Sequence, residues 1–299
     1  MIRIGNAPCS WGVLEFEGAS PATSASQMLE EMSAAGYVGT ELGDWGFLRT
    51  DPAALSSEVS RHALNLIGAF VPVKLLDPAA LESAVATAVR VATLLAAAEG
   101  EDAFVVLSDD NASVPLRTER AGRIRDEDGL RDDEWDGFAA RAQQIAEVVR
   151  DATRLRTVFH HHCAGYVETP REVDALMSRT DPSVLGLCLD TGHITYGGGN
   201  AAAALAKYGT RVWHIHAKDC DPEVARRARE AGWDYHTALR HGIFCELGRG
   251  AVDFPAVIDI LRRQQYSGWI VVEQDVLPGS GTPAESAGRN RNYLKRLGV

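Results

Sequence analysis

Side chains that bind metal ions or move protons follow several short apolar runs of this sequence. The clearest case is a row of three histidines, His160–His162, directly after such a run. Carboxylates and further histidines close other runs, in the segments GTELGDW (39–45), CLDTGH (188–193), VWHIHAKD (212–219) and IVVEQD (270–275). A mixed set of imidazole and carboxylate ligands suits Mn²⁺, Co²⁺, Fe²⁺ or Zn²⁺ better than Mg²⁺ or Ca²⁺, which prefer oxygen ligands alone.

If these runs are strands, alternation sorts the candidates by face. The first and third histidines of the row share one face, and His161 takes the other. His214, His216 and Lys218 likewise share a face. A cation could then be held by one histidine of the row and by three residues from other runs: Asp190, His216 and Glu273.

Each candidate also has a structural explanation. A single histidine at a strand end is more often a hydrogen-bonded polar residue than a ligand, and a lone aspartate before Thr-Gly is typical of an N-cap or a turn. Glu41 could equally form a salt bridge, and we interpret Cys163 as structural. Trp11, Trp45 and Trp213 also have a structural explanation, because tryptophans more often pack in the core than stack against a ligand. The coincidence across four runs favours the metal site.

The elements that must position these residues alternate along the chain. Eight runs rich in apolar and β-branched residues predict strands at 3–8, 36–42, 65–73, 102–107, 157–162, 184–190, 212–218 and 269–273. Helix starts lie between them. Ser24 opens a helix that stops at Gly36, and Asp-Pro or Thr-Pro pairs open three more, at Asp51, Asp77 and Thr169. Two further helices are predicted at 252–265 and 283–297.

Eight strand–helix units predict a single-domain (β/α)8 TIM barrel over residues 1–299. In such a barrel, strand ends meet at one mouth, where function collects. A doubly wound sheet is the alternative, but the segment after the first strand, GNAPCSWG, lacks the G-x-G-x-x-G phosphate loop. Two charged stretches, 108–133 and 220–250, are too long for simple connections, and we expect them as insertions over the active-site mouth.

The composition limits the classes of partner and the cellular compartment that we expect for this protein. A formal net charge of −11 argues against nucleic acid or an anionic membrane as the main partner, and leaves a small polar substrate open. Five separated cysteines without a C-x-x-C pair, and a first segment typical of a strand, predict free thiols in the cytoplasm. The apolar stretch 84–98 is too short to span a bilayer. A homo-oligomer is compatible with the sequence.

Several segments resemble a known family. The order LCLDTGH, VWHIHAKD, LGRGAVDF and GWIVVEQD is similar to the sugar phosphate isomerase/epimerase group of xylose isomerase-like TIM barrels, and the similarity runs over essentially the whole chain. Within that group the chain looks most like the inosose dehydratases, which act in myo-inositol breakdown. This narrower resemblance rests on the segments GNAPCSWGV, GTELGDWGF, FHHHCAGYVET and LDTGHITYGGG.

The resemblance implies a metal site at the ends of strands five to eight. The group's usual ligands are Glu, Asp, His and Glu, and the matching positions here are His160, Asp190, His216 and Glu273. This chain therefore departs from the pattern at His160, which either binds the metal or leaves three protein ligands and water. The implied cofactor is Mn²⁺ or Co²⁺, with Fe²⁺ or Zn²⁺ as alternatives.

The implied reaction removes water from a keto-cyclitol such as scyllo-inosose, by proton abstraction next to the ketone through a metal-stabilised enolate. We assign proton transfer and hydroxyl binding to four residues as a group, without saying which is the acid and which the base: His162, His193, Lys218 and Glu41. The resemblance places the group's substrate-contacting histidine at His193. Candidate substrate contacts are Asn6, Trp11, Trp45, Arg249 and Asp275.

Other activities of this fold stay open. A sugar isomerase or epimerase would use the same metal and return the proton, although the group's carboxylate on strand five is absent here. A 3-dehydroshikimate-type dehydratase is also possible. A metal-dependent nuclease needs a basic groove, which the acidic balance opposes. A sugar-binding barrel without activity would carry the histidines as remnants.

Overall fold

The computed structural model describes residues 1–12, 23–99, 103–274 and 281–299. In this part of the chain, eight parallel strands close into a barrel, which confirms the predicted fold. The barrel strands, in chain order, are β1 (Arg3–Asn6), β2 (Gly39–Glu41), β3 (Asn65–Val73), β4 (Phe104–Asp109), β5 (Arg156–His160), β6 (Leu185–Asp190), β7 (Val212–Ala217) and β10 (Trp269–Val272). A short antiparallel pair, β8 (Asp219–Cys220) and β9 (Phe244–Cys245), lies outside it.

The strands are nearly all buried because each has apolar residues on both faces, as parallel strands covered by helices require. One face fills the barrel with a small cluster that includes Phe104, Val106, Val158 and Cys188. The other face joins the large core under the helices. His160 follows Val158 by two residues, so it continues the inner face at the mouth of the barrel.

The helices of the described residues are α1 (Ala25–Ala35), α2 (Pro52–Arg61), α3 (Leu81–Glu99), α4 (Pro115–Arg120), α5 (Asp132–Thr153), α6 (Pro170–Ser178), α7 (Thr191–Tyr196), α8 (Ala201–Tyr208), α9 (Pro222–Ala231), α10 (Tyr235–Arg240), α11 (Phe254–Arg263) and α12 (Pro283–Arg296). The predicted helix starts at Ser24, Asp51 and Thr169 are confirmed. The side chains of Ser24, Asp51 and Thr169 each accept an N–H from the first turn.

Some boundaries differ from those predicted. The strand expected at 36–42 is only Gly39–Glu41, because Gly36 takes a left-handed conformation that ends α1. The Asp77-Pro78 start opens a 3-10 turn before α3. Helix α5 was not predicted, although its 22 residues pack against α3 and β5. Residue 102 of the predicted fourth strand lies outside the described residues.

Helix α3 packs as a layer helix of the barrel. The apolar helical segment, Pro78–Ala98, is longer than the stretch 84–98 considered in the sequence, and by length and composition it could cross a membrane. No other helix of the described ranges meets that test. Helix α3 contacts α2 and α5 on either side and β3 and β4 beneath. Its apolar surface is therefore used in the barrel's own core.

The two charged stretches contribute to a second, smaller core. Ala121 from the first stretch and Tyr235, Leu239 and Phe244 from the second share one apolar cluster with Cys163 and Tyr196, which follow β5 and β6. The first stretch is also anchored by Arg117, whose buried guanidinium pairs with Glu172 at 2.8 Å and donates to the carbonyl of Gly165.

Candidate metal centre and proton-transfer groups

Four strand ends bring two histidines and two carboxylates together at the mouth of the barrel. Ligand atoms of His160, Asp190, His216 and Glu273 all lie within 4.8 Å of one another. They come from or directly follow β5, β6, β7 and β10, which are consecutive neighbours in the barrel. The structure thus brings together the four residues that the sequence singled out.

The segment Asp190–His193 shows how the local sequence builds this corner. One carboxylate oxygen of Asp190 caps α7 by accepting the N–H of His193 at 2.7 Å, which leaves Oδ2 facing the cluster. Thr191 accepts the N–H of Lys218 and donates to its carbonyl, tying β6 to the end of β7. Gly192 leaves room for Lys218, because a Cβ there would lie 2.7 Å from the lysine Cγ. The aspartate is both an N-cap and a cluster member.

The cluster fits a divalent cation by its unpartnered atoms and by its charge. Both ring nitrogens of His160, Oδ2 of Asp190 and Nδ1 of His216 are buried without a hydrogen-bond partner in the described part of the chain. Such atoms are destabilising unless a ligand satisfies them. With the imidazoles neutral, the three carboxylates and one ammonium of the site have a formal charge of minus two, given by Glu41, Asp190, Glu273 and Lys218.

The ionisation of the cluster follows from burial and close charges. Burial lowers the pKa of His160 to about 3 and raises the pKa of Asp190. Burial also disfavours the charged form of Glu273, but His216 and Lys218 hold its pKa well below its usual value. Burial disfavours the imidazolium of His216, whose pKa the carboxylates of Glu273 and Glu41 nevertheless raise well above its usual value. A cation binding here would displace a proton from His216.

Glu41 lies inside the barrel next to two histidines of β7. Its Oε1 is 2.9 Å from Nε2 of His214 and 2.9 Å from Nε2 of His216. Burial raises the pKa of the Glu41 carboxyl, but these two histidines more than reverse this and hold it at about 2. Glu41 is therefore a carboxylate that accepts two hydrogen bonds.

The three histidines of the row have three different environments. His160 belongs to the cluster and His162 lines the adjoining pocket. His161 accepts the backbone N–H of Asp190 with its Nε2 at 3.1 Å, so it supports the aspartate from behind. This placement agrees with the alternation expected along the strand.

The peptide groups of Cys163 fix the protons of two histidines. Nδ1 of His162 lies 2.6 Å from the Cys163 carbonyl, which can only accept, so Nδ1 carries the proton and Nε2 has the lone pair. The Cys163 N–H donates to Nδ1 of His193 at 3.3 Å, so His193 carries its proton on Nε2. The two rings lie 3.9 Å apart, with His193 fully buried behind His162.

Lys218 closes the other side of the pocket. Its ammonium lies 3.3 Å from Oε2 of Glu273 and 4.8 Å from the ring centroid of Phe244, which belongs to β9. Tyr235 of α10 points its hydroxyl at Nε2 of His162, at 3.5 Å. Phe244 and Tyr235 were missed in the sequence because their contacts depend on the path of the 220–250 stretch.

The pocket beside the cluster is small and has both charged and apolar residues in its wall. It has a volume of about 100 Å³ and is lined by residues that include Glu41, Asp44, His160, His162, Lys218 and Glu273. Asp44, Gly43 and Phe70 also line a neighbouring cavity of about 500 Å³, on whose wall Trp45 lies under the guanidinium of Arg90.

Three other predicted substrate contacts, Asn6, Trp11 and Arg249, lie outside the lining of this pocket. Asn6 is buried, and its side-chain oxygen accepts the N–H of Ala7. Trp11 is a core residue whose indole N–H donates to Glu31 at 2.7 Å. Arg249 is exposed and pairs with Glu246. The structure therefore places Trp11 and Arg249 away from the pocket. Asp275 lies outside the described residues.

Comparison with known proteins shows similarity along the whole chain. The model of the family described as Xylose isomerase-like TIM barrel matches residues 29–297. An inosose dehydratase of Geobacillus kaustophilus is 30% identical over 295 residues, which cover 99% of this chain and 94% of that protein. The rhizopine catabolism protein MocC of Rhizobium meliloti is 31% identical, over 99% of this chain and 88% of that protein.

Solved structures show the same fold at lower identity. An L-ribulose 3-epimerase structure has a TM-score of 0.70 at 16% identity, with 99% of this chain and 94% of that chain covered. The probable 3-DHS dehydratase AsbF of Bacillus anthracis has a TM-score of 0.72 at 12% identity, with 99% of both chains covered. On its sequence match and its closed eight-stranded barrel, the chain belongs to the Xylose isomerase-like TIM barrel family.

Proposed function

We propose that this protein is a metal-dependent dehydratase that removes water from a keto-cyclitol, with scyllo-inosose as the first candidate substrate. Full-length similarity to proteins named inosose dehydratase supports the reaction class. The observation that carries the proposal is the cation-sized cluster of His160, Asp190, His216 and Glu273 beside two groups suited to proton transfer, His162 and Lys218.

The four cluster residues would hold a divalent cation, which we propose to be Mn²⁺ or Co²⁺. When bound, it supplies positive charge that stabilises the oxygen of the substrate ketone as the neighbouring carbon loses its proton. The mixed nitrogen and oxygen ligands support a transition metal over Mg²⁺ or Ca²⁺.

His162 and Lys218 divide the proton transfers in this proposal. Nε2 of His162 has a lone pair because Nδ1 donates to Cys163, and His162 lines the pocket. In this proposal the substrate takes the place of the Tyr235 hydroxyl, which lies 3.5 Å from Nε2, so that Nε2 accepts the C–H proton next to the ketone. Lys218, a donor held by Glu273, supplies a proton to the hydroxyl on the next carbon. A C=C bond conjugated with the ketone forms, the C–O bond breaks, and the substrate loses one water. Solvent returns the proton from His162 to Lys218.

The stretches 108–133 and 220–250 would limit water at the mouth in this proposal. Phe244 and Tyr235 of the second stretch lie against His193, Lys218 and His162. Exclusion of water strengthens the electrostatic interactions inside the site. We place the protein in the cytoplasm with a small polyol or keto-sugar as its partner. The five free cysteines are compatible with a reducing compartment.

The test is turnover of scyllo-inosose by protein loaded with Mn²⁺ or Co²⁺, followed by the ultraviolet absorbance of the conjugated product. We expect absorbance to rise with metal and to stop after chelation. No change with scyllo-inosose, together with turnover of a ketohexose, would assign the protein to the sugar isomerases or epimerases instead. A purified protein that carries no metal and gains no activity with either ion would contradict the mechanism.

A further inference from the structure

Glu41 is placed to organise the metal centre from inside the barrel. It closes β2, three strands away from β7 around the barrel, and its Oε1 lies 2.9 Å from Nε2 of His214 and from Nε2 of His216. All three side chains are buried, with Glu41 only 3% exposed. One carboxylate oxygen therefore joins two histidines that stand two residues apart on the same face of β7.

The hydrogen-bonding chemistry of these three residues fixes where the protons lie. An ionised carboxylate can only accept, so Nε2 of each histidine must be the donor. In His216 this leaves Nδ1 as the nitrogen available to a cation. That nitrogen lies 3.2 Å from Oε1 of Glu273, on the side of the ring that faces the cluster. The other tautomer, with its proton on Nδ1, would turn an N–H toward the cluster and a lone pair toward the Glu41 carboxylate.

We propose that Glu41 is a positioning residue, which holds His216 in the orientation and tautomer that present Nδ1 to the cation, with His214 as its second anchor. The inference rests on the proposed metal centre. It differs from the proton-transfer role expected from the sequence. Carboxylates that accept from a metal-bound histidine fix its ring orientation and make it a stronger ligand.

Two substitutions separate positioning from proton transfer. Glu41→Gln keeps an oxygen that can accept both N–H groups, but an amide cannot act as a base. Glu41→Ala removes the acceptor. By calorimetric Mn²⁺ titration we expect a loss of affinity of roughly 10- to 100-fold for Glu41→Ala and less than about 10-fold for Glu41→Gln. At saturating Mn²⁺, Glu41→Gln should lose less kcat than Glu41→Ala. Glu230→Gln, on the exposed surface of α9, serves as the matched control.

Two results would overturn the inference. The first is wild-type Mn²⁺ affinity in Glu41→Ala. The second is wild-type affinity in Glu41→Gln with kcat abolished at saturating metal, which would make Glu41 a proton-transfer group. A wild-type protein that binds Mn²⁺ without converting scyllo-inosose would instead contradict the proposed function alone.

A spectroscopic measurement tests the proton arrangement without activity. Two-bond ¹H–¹⁵N correlation spectra of protein loaded with Zn²⁺, which is diamagnetic, report the protonated nitrogen of each histidine. We expect His216 to carry its proton on Nε2 and to show a metal-bound Nδ1, a pattern that Glu41→Gln retains. A proton on Nδ1 of His216, or metal at its Nε2, would overturn the assignment.

Discussion

Nε2 of His160 lies 3.7 Å from Oδ2 of Asp190 at the mouth of the barrel. Both atoms are buried, and neither has a hydrogen-bond partner within the described ranges. Ligand atoms of both residues also lie within 4.8 Å of those of His216 and Glu273, so one cation between the four residues could satisfy them together.

We therefore expect the substitutions Asp190→Asn and Glu273→Gln to remove both bound metal and turnover. Asparagine at 190 can still accept the N–H of His193, so the start of α7 should persist while the charge and one ligand are lost. Metal content by mass spectrometry and turnover of scyllo-inosose are the measurements. As the control, Asp51→Asn makes the same change at the N-cap of α2 and should alter neither the metal content nor the turnover. Full activity in either site variant would exclude this metal centre.

The proposed roles of His162 and Lys218 predict different partial reactions. In heavy water, wild-type protein should exchange the substrate proton next to the ketone and also eliminate water. His162→Gln should lose both, because no base removes the proton. Lys218→Met should keep measurable exchange and lose elimination by about 100-fold or more. His62→Gln, at the end of α2, is the control. Exchange at the wild-type rate in His162→Gln would contradict the assignment of the base.

Glu168 predicts a pH dependence of stability. Burial raises the pKa of its carboxyl from 4.5 to about 7, although Arg117 and the N–H groups of Ala164 and Gly122 act in the opposite direction. The native state therefore binds this proton more tightly than the unfolded state does, and the bound proton stabilises the native state at low pH. This contribution to the free energy of unfolding is lost as pH rises from about 4.5 to about 7. The change is up to about 3 kcal/mol.

Glu168→Gln should remove this part of the pH dependence, because the amide does not titrate. The free energy of unfolding in urea, measured for both proteins across that pH range, checks it. As pH rises, the free energy of unfolding of the wild type should fall relative to that of Glu168→Gln. Parallel curves would show that Glu168 has an ordinary pKa in the native state.

The buried pair of Arg117 and Glu172 should contribute strongly to stability. Arg117→Met leaves the Glu172 carboxylate buried without its partner, and we expect unfolding free energy to fall by about 3–5 kcal/mol. The double variant Arg117→Met/Glu172→Leu should recover part of this loss, because it leaves no unpaired buried charge. Arg263→Met, which breaks an exposed pair with Asp259, should change stability little. A similar effect of Arg117→Met and Arg263→Met would contradict the role of the buried pair.

The barrel and the position of the four candidate metal ligands could be predicted because both depend on the strand pattern. Apolar runs marked the strands, and the polar residues that replaced apolar ones at their ends marked the mouth. Alternation predicted that His161 faces away from His160 and His162, and the structure agrees, because Nε2 of His161 accepts the backbone N–H of Asp190.

The features that could not be predicted depend on contacts between residues far apart in the sequence. Helix α5 begins at RDDEWDG, which lacks a Ser, Thr or Asn cap and contains Gly137, so its start resembled a charged loop. Tyr235 reaches His162 only through the path of the second stretch. The role of Glu41 could not be inferred from sequence, because it depends on a 2.9 Å contact across the barrel with a histidine 175 residues away.

The central claim is tested most directly by the mass of the product formed from scyllo-inosose by metal-loaded protein. The proposed dehydration predicts a product lighter than the substrate by one water, formed only with metal bound and absent with Asp190→Asn. A product of unchanged mass, or loss of water at the same rate after chelation, would contradict it.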